Sequence, residues 1–424
     1  MLEDLFQYVW KMKLFDTNNL KTSDGEIVEI LQVGTQNYHS GPDFFNAKIK
    51  IGNTLWAGNV ELHVKSSDWY LHQHQHDLAY ENIILHVVYS DDKPILKSNG
   101  QVLKTLVLKE HISDEIIKKY KNFKENNYTI PCEKSVKNVP TAIVQSYLEK
   151  LVVTRLEHKS QQVEKLLAEN NNHWEQAFYL QLASNFGFKI NQIPFELIAR
   201  NTPLSLLAKH KNNIHQIEAL LFGQAGFLNN TFTEQYPLLL QNEYAFLKKK
   251  YQLNNIASHT WKLSSLRPVN FPTIRIAQFA SLVHQSSHLF SKVIATEKTD
   301  ELFKLFSVSA SPFWDTHYNF DTNASHLKKN IGKTAIENII INTIVPFIFV
   351  YGKQYGNENK CELALQILEC ISPEKNSILE LWSTIGIKAQ NALQSQALIE
   401  LKNNHCNLKK CLQCPIGYFI IKND

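Results

Sequence analysis

The 424-residue sequence predicts an α/β N-terminal domain with the element order α-β-β-β-α-β, followed by a larger, mostly α-helical domain. Over the first 110 residues, short apolar runs alternate with a period of two, which is typical of β strands. From Thr141 onward the apolar residues recur with a period of 3.6, which indicates amphipathic helices. A chain of this length normally forms at least two domains. We therefore predict domains at 1–110 and 141–424, joined by a polar, proline-containing linker at 111–140.

The elements of the first domain follow from periodicity and turn residues. The segment LEDLFQYVWKM has an apolar helical stripe, and GEIVEILQVG is a short strand. The next strand, FFNAKIKI, places Phe45, Ala47, Ile49 and Ile51 on one side. Gly-Asn at 52–53 is a two-residue hairpin turn that returns the chain into TLWAGNVELHVK. LHQHQHDLAYEN is a short helix or loop, IILHVVYS is an interior strand, and VLKTLVLK is a further strand.

Composition and charge bear on whether the chain is a nucleic-acid binder, a secreted protein or a membrane protein. A net charge of +4 does not by itself predict a nucleic-acid binder. The first residues are acidic and lack the basic start of a secretory signal. The longest apolar stretch, IENIIINTIVPFIFVYG, is interrupted by Asn338, Asn342 and Pro346 and is typical of a buried helix. We expect a soluble, cytoplasmic protein without a membrane partner, and the sequence predicts no particular oligomeric state.

The segment GNVELHVK places Glu61, His63 and Lys65 on one face of a strand. One interpretation is a solvated face with ordinary cross-strand pairing. The other is a chemical site, because the segment SGPDF puts Asp43 at the start of the preceding antiparallel strand, near Glu61. Two adjacent carboxylates suit Mg²⁺ or Mn²⁺, which activates water and neutralises charge on a phosphate. His63 or Lys65 would then orient the water or the scissile phosphate.

The element order, PDF at 42–44 and VELHVK at 60–65 resemble the PD-(D/E)xK nuclease-like superfamily over roughly residues 3–90. That resemblance implies an Asp on the second strand, here Asp43, and an E-x-K on the third, here beginning at Glu61. The sequence departs from the pattern because His63 occupies the usual lysine position and the lysine follows at Lys65. The resemblance implies hydrolysis of phosphodiester bonds in DNA, or less readily in RNA, and Glu29 on the first strand could be a further acid.

The whole chain also resembles an uncharacterised bacterial family, a domain of unknown function. The matching stretches are GPDFFNAKI, GNVELHVKSSDW, HQHQHDLAY, NIILHVVY, IPC and KKCLQCPIG. This second resemblance implies no activity.

A second polar group follows Lys65 in the segment SSDWYLHQHQHD. It contains acids and three alternating histidines, namely Asp68, His72, His74, His76 and Asp77. Imidazole and carboxylate ligands together suit a transition metal, which would make a His/carboxylate metalloenzyme with Glu61. The alternative is a polar turn in which Asp68 caps a helix.

The C-terminal segment HCNLKKCLQCPIG has the spacing C-x4-C-x2-C at Cys406, Cys411 and Cys414. A C-x2-C pair is typical of zinc and of iron–sulfur ligation. Cys132, in TIPCEK, is the best candidate for a fourth ligand if the two segments meet. The alternative is a set of small thiols that pack a terminal helix.

The helical domain contains one distinctive segment, WKLSSLRPVNFPTIRIAQFA. Its Arg267 and Arg275 lie among aromatic residues and could contact a nucleic-acid backbone, or one of them could be a buried link between a loop and a helix. The leading hypothesis is a metal-dependent nuclease acting on DNA. The rivals are a non-enzymatic binding scaffold with a nuclease-like fold, and the His/carboxylate metalloenzyme.

Overall fold

The computed structural model describes residues 1–98, 100–264 and 266–423. The chain divides into two compact units. The first, the α/β unit, comprises Met1–Tyr147 together with Leu401–Asp424, and the second, the helical unit, comprises Leu148–Glu400. An α/β region followed by a mostly helical region is therefore confirmed.

The α/β unit contains a mixed sheet and three longer helices. The sheet has the order β1-β3-β4-β5-β6, with β2 paired to β3. The β1–β3 and β3–β4 pairs are antiparallel, whereas β4–β5 and β5–β6 are parallel. The elements that precede α3 in the chain are α1 (Glu3–Lys11), β1 (Val28–Gln32), β2 (Thr35–Gln36), β3 (Phe44–Ile51), β4 (Thr54–Lys65), α2 (Asp68–Leu71), β5 (Ile83–Ser90) and β6 (Thr105–Val107).

The predicted hairpin between β3 and β4 is present, and Gly52 adopts the positive φ of +56° that this tight turn requires. The predicted inward face of β3 is wrong at its first position. A register shift lies between Phe44 and Ala47, and Asn46 has a φ of +57°. This β-bulge turns Phe44 rather than Phe45 into the core.

The predicted linker at 111–140 needs correction, because this segment is part of the α/β unit. It contains α3 (Asp114–Glu125) and buries Tyr120, Phe123 and Ile130. The predicted helical domain at 141–424 is likewise too long. Its last residues, which include α18 (Pro415–Asn423), belong to the α/β unit. Polar composition suggested a linker here, but a few buried aromatic side chains were sufficient to fold the segment.

The helical unit consists of helices with two short strands, β7 (His317–Asn319) and β8 (Thr322–Asn323). Its helices are α4 (Thr141–Glu169), whose first turns lie in the α/β unit, α5 (Trp174–Phe186), α6 (Gln192–Asn201), α7 (Leu204–Lys209), α8 (Ile214–Gln224), α9 (Gln235–Tyr251), α10 (Pro272–Gln285), α11 (Leu289–Ala295), α12 (Thr299–Phe306), α13 (Lys333–Ile339), α14 (Val345–Gln354), α15 (Glu358–Cys370), α16 (Ser377–Thr384) and α17 (Ala392–Glu400).

One helical run, Lys333–Gln354, is long and apolar enough to cross a membrane. It joins α13 to α14 through a π-helical turn, Ile340–Ile344. Most of it is buried inside the protein, as in the core helix of a soluble domain. The predicted buried helix is therefore confirmed.

Candidate metal centre

Asp43 and Glu61 lie side by side where β3 begins next to β4. The backbone N–H of Asp43 donates to Oε2 of Glu61 at 3.0 Å, and the N–H of Leu62 donates to Oδ2 of Asp43 at 3.0 Å. Gln7, on α1, donates to Oδ1 of Asp43 at 2.8 Å. The bulge after Phe44 sets this register, since Phe44 pairs with Val60. The predicted juxtaposition of the two acids is thus present.

Burial makes this pair of acids electrostatically unusual. Glu61 is only 4% exposed. Burial, with a smaller contribution from the neighbouring Glu61 charge, raises the pKa of Asp43 to about 7. Burial also raises the pKa of Glu61 to about 8. Two adjacent carboxyl groups with raised pKa values bind a proton or a cation at neutral pH.

Two imidazoles adjoin the other side of Glu61, and a third lies against one of them. Its Oε1 lies 3.3 Å from Nε2 of His74 and 3.8 Å from Nε2 of His63. Nε2 of His63 also lies 3.2 Å from Nδ1 of His72. One ring nitrogen from each of His63, His72 and His74 lies within 4.8 Å of the other two, close enough for all three to ligate one ion. We call Glu61 and these three histidines the His/Glu cluster.

A fourth histidine, His86, supports the cluster from β5. Its Nε2 lies 2.8 Å from Nδ1 of His63, and both side chains are buried. A neutral His63 that presents Nε2 to an ion carries its proton on Nδ1 and can donate it to His86. Burial lowers the pKa of His63 to about 2 and that of His86 to about 3, so both rings are neutral, as metal ligation requires.

Aromatic side chains hold the imidazoles in place. Tyr80 stacks on His74 with ring centroids 3.9 Å apart, and Trp69 packs edge-on against His63, His74 and His86. Nε2 of His74 is buried and, within the described residues, makes no hydrogen bond of good geometry, although Oε1 of Glu61 lies 3.3 Å away. An imidazole nitrogen in this situation costs free energy unless an ion or a proton satisfies it.

Other predicted residues lie outside the cluster. Lys65 is exposed at the end of β4, and its backbone N–H bonds to Asp68. Asp77 caps the short 3₁₀ turn Leu78–Tyr80, and His76 is exposed. Glu29 is exposed on β1, opposite Lys50 in the strand register. Asp68 accepts a hydrogen bond from a backbone N–H that precedes it, so it does not cap the following turn as the alternative predicted, and Asp77 and Glu29 also lie apart from the cluster.

The two arginines that were predicted to contact nucleic acid, Arg267 and Arg275, differ from each other. Arg275 is buried and donates to Gln278 at 3.0 Å and to Asn270 at 2.6 Å, with its guanidinium 4.6 Å from the Phe188 ring. It connects the 3₁₀ turn Pro268–Asn270 to α10, which is the structural alternative predicted above. Arg267 is exposed beside a cavity of about 760 Å³ that Arg275 also lines.

A groove of about 660 Å³ lies next to Asp43, because Gln7 lines it and also bonds Asp43. Four lysines line this groove together with Asp4, namely Lys11, Lys124, Lys409 and Lys410. Lys124 pairs with Asp4 at 3.3 Å and Lys409 donates to backbone carbonyls, which leaves Lys11 and Lys410 as the lysines best placed for an anion. Tyr38, which is 72% exposed, lies at its edge. Lysines beside exposed aromatic rings suit a phosphate backbone with stacked bases.

Sequence reasoning missed two members of the site, Gln7 and His86. His86 is the single histidine of an otherwise mostly apolar strand, and it lies opposite Glu61 in the parallel register of β4 and β5. That lone histidine was the available signal. Gln7 carried no signal, because its contact with Asp43 depends on how α1 packs on the sheet.

Comparison with known proteins gives a family without a known activity. Neither a curated protein nor a solved structure matches the chain. One family model, described as "Protein of unknown function (DUF2851)", matches residues 3–377. Since this match covers most of the 424 residues, the chain belongs to the DUF2851 family.

Proposed function

We propose that this protein is a cytoplasmic, metal-dependent hydrolase that cleaves phosphodiester bonds, with DNA as the preferred substrate. The observation that carries the proposal is the group of ring nitrogens from His63, His72 and His74, with the Glu61 carboxylate beside His63 and His74. Imidazole ligands favour zinc and other transition metals over Mg²⁺. We therefore expect Zn²⁺ or Mn²⁺ to bind more tightly than Mg²⁺, which carboxylates alone would favour.

The proposed roles follow from position and burial. Glu61, His63 and His74 would hold the ion on its buried side, and His72 would hold it on the solvent side. When bound, the ion would lower the pKa of a water and neutralise charge on the phosphate. Asp43 accepts hydrogen bonds through both oxygens, so it would position Glu61 and accept a proton rather than act as the principal ligand.

Two features support nucleic acid as the substrate. The lysine-lined groove adjoins Asp43 through Gln7 and suits a polyanion. The nuclease-like resemblance implies an Asp on the second strand and a Glu on the third, and in this chain Asp43 directly precedes β3 and Glu61 lies on β4. The resemblance supports the reaction type by analogy.

The test is metal binding and cleavage by the full-length chain. Metal-stripped protein is titrated calorimetrically with Zn²⁺, Mn²⁺ and Mg²⁺, and cleavage of single-stranded DNA, duplex DNA and RNA is then measured. We expect Glu61→Gln and His63→Asn to weaken Zn²⁺ or Mn²⁺ binding at the His/Glu cluster by at least about 100-fold, since removal of supporting groups alone costs 10–100-fold. Both variants should lose cleavage.

His76→Asn is the matched control, because His76 lies two residues from His74 but is exposed and outside the cluster. It should bind metal and cleave as the natural chain does. Because the cysteines of the α/β unit could also take up Zn²⁺, the decisive ion is Mn²⁺, which thiolates do not favour. Mn²⁺ binding that survives in both Glu61→Gln and His63→Asn would contradict the proposed centre. Metal binding without cleavage of any of the three nucleic acids would retain the centre and overturn the assignment as a nuclease.

A further inference from the structure

The α/β unit gathers four cysteines from distant parts of the sequence. Cys132 lies in the loop after α3, and Cys406, Cys411 and Cys414 lie in the segment that leads into α18. Cys414 is buried, the other three are partly buried, and all four are free thiols. Each thiol is close enough to the other three to interact with them electrostatically.

Contacts from other residues hold these two segments together. The Lys409 ammonium donates to the carbonyl oxygens of Lys124 and Asn126, and the Asn126 side chain donates to the Pro131 carbonyl at 2.9 Å. The loop that carries Cys132 is thereby fixed against the C-terminal segment. This arrangement does not depend on the cysteines themselves.

The C-terminal half has the local form of a metal-binding knuckle. The backbone N–H groups of Ile416 and Gly417 and the Tyr147 hydroxyl bond the sulfur of Cys414, which favours its thiolate form. Cys414 also precedes the first turn of α18, where the helix dipole favours a negative charge. Gly417 is required here, because a Cβ at this position would lie 2.3 Å from the Cys411 carbonyl oxygen.

Without a cation these four thiols are in an unfavourable environment for ionisation. Burial, with the neighbouring thiols, raises the pKa of Cys132 to about 12 and that of Cys411 to about 11. A bound metal reverses this preference, because a coordinating thiol loses its proton outright. The buried sulfurs and the donors aimed at Cys414 are therefore consistent with a ligand set.

We propose that Cys132, Cys406, Cys411 and Cys414 hold a structural metal centre through four thiolates. A single tetrahedral zinc with bonds of about 2.3 Å would draw its sulfurs to about 3.8 Å from one another. Among the described residues, no three cysteine sulfurs lie within 4.8 Å of one another. This wider spacing of the sulfurs favours an iron–sulfur cluster. A zinc ion is the other centre that four thiolates could bind. The centre would fix the C-terminal segment to the α/β unit.

The experiment measures iron, zinc and acid-labile sulfide in full-length protein purified without oxygen. Iron with sulfide and thiolate-to-iron visible absorption would support the centre as a cluster, and one tightly held zinc would support it as a zinc site. Cys132→Ser should lose this metal, whereas Cys370→Ser, at an exposed free cysteine, should retain it. Should Cys132→Ser fail to fold, release of metal from the natural chain by a thiol-blocking mercurial replaces it.

Two results would overturn the proposal. One is a natural chain that binds neither iron nor zinc at these residues, with all six cysteines open to alkylation in the folded state. The other is a disulfide between Cys411 and Cys414 in the protein as isolated. The Glu61→Gln variant distinguishes the cysteine centre from the His/Glu cluster. This variant should retain the thiolate-bound metal even if the proposed hydrolase centre is wrong.

Discussion

In the helical unit, the Glu218 carboxyl group and the Lys159 ammonium group have polar partners of a different kind, whereas in the α/β unit two acids and several imidazoles face one another. Glu218 accepts hydrogen bonds from Ser311, at 2.8 Å, and from Tyr236. Lys159 donates to Gln396 at 2.6 Å and to Asn342 at 2.9 Å. Burial shifts the pKa of Glu218 up and that of Lys159 down, each to about 7.

In the α/β unit, Gln7 and two backbone N–H groups donate to Asp43 and Glu61, but like groups also face one another. Asp43 and Glu61 are both acids, and His63 contacts two other imidazoles, His72 and His86. Neutral hydrogen-bond partners satisfy a buried titratable group without an ion. Carboxylate oxygens and imidazole nitrogens that face one another carry lone pairs that a cation can bind. The comparison therefore distinguishes a structural network from a ligand set.

The largest expected effect is stabilisation by metal. At a free Zn²⁺ concentration about 100 times the dissociation constant of the His/Glu cluster, the free energy of unfolding should rise by about 2.7 kcal/mol. His63→Asn should abolish this increment, and Glu218→Gln should leave it unchanged because Glu218 lies in the helical unit. Denaturant unfolding with and without Zn²⁺ measures both. An equal increment in His63→Asn would mean that the ion binds elsewhere.

The partnered network should show a smaller effect that does not depend on metal. Tyr236→Phe removes a hydroxyl bonded to Glu218 and Ser311 and leaves a buried carboxylate with fewer donors. We expect a loss of about 2 kcal/mol in the free energy of unfolding, as is usual for a buried polar group that loses its partner. The loss should be the same with and without Zn²⁺. A metal-dependent loss would contradict the distinction between the two sites.

The metal-free protein should lose stability as the pH rises from about 6.5 to 8. Folded Asp43 and Glu61 keep their protons up to pH values of about 7 and 8, well above their ordinary pKa values of 3.8 and 4.5. The folded state therefore binds more protons than the unfolded state in this interval, and stability falls by up to about 1.4 kcal/mol per pH unit for each proton. His63 and His86 oppose this trend only below pH 6.5, where unfolded imidazoles take up protons.

Asp43→Asn tests this pH dependence, because it removes one of the two raised carboxyl groups. Its unfolding free energy should fall less steeply than that of the natural chain between pH 6.5 and 8. Thermal or denaturant melts across this interval, on chelator-treated protein, give both slopes. Identical slopes would show that the carboxyl pair does not titrate in this range.

The smallest effect concerns a capping residue beside the cluster. Asp77 accepts a hydrogen bond from the N–H of Ala79 at 2.9 Å. Asp77→Ala should cost roughly 0.5–1 kcal/mol in the free energy of unfolding and leave Zn²⁺ affinity unchanged within about twofold. A large loss of affinity in this variant would place Asp77 in the ligand set, as the sequence had allowed.

Much of the α/β unit could be predicted because its strands alternate regularly and its hairpin has a strong turn signal at Gly52. The pairing of Asp43 with Glu61 followed from the same hairpin. The register shift at Phe44 could not be predicted, since a bulge inserts a residue without changing the local composition. The membership of the C-terminal segment in the α/β unit was also out of reach, because contacts between residues nearly 300 positions apart, such as that of Lys409 with Lys124, leave no periodic signal.

The spacing of the histidines in the sequence does not by itself predict which of them lie together in the structure. The segment that carries His72, His74 and His76 was predicted as a short helix or loop, and it folds into a short helix and a 3₁₀ turn. Only His72 and His74 therefore join His63, and His76 is exposed. The residue types indicated metal ligation, and the geometry of the turns determines which histidines belong to the His/Glu cluster.

The most direct test of the account is a crystal structure of the full-length protein soaked with Zn²⁺ or Mn²⁺, with anomalous scattering collected at the edge of the metal. We predict a strong anomalous peak bonded to Oε1 of Glu61 and to ring nitrogens of His63 and His74, with His72 completing the protein ligands. A map with no peak there, at an ion concentration that saturates binding in solution, would contradict the central claim.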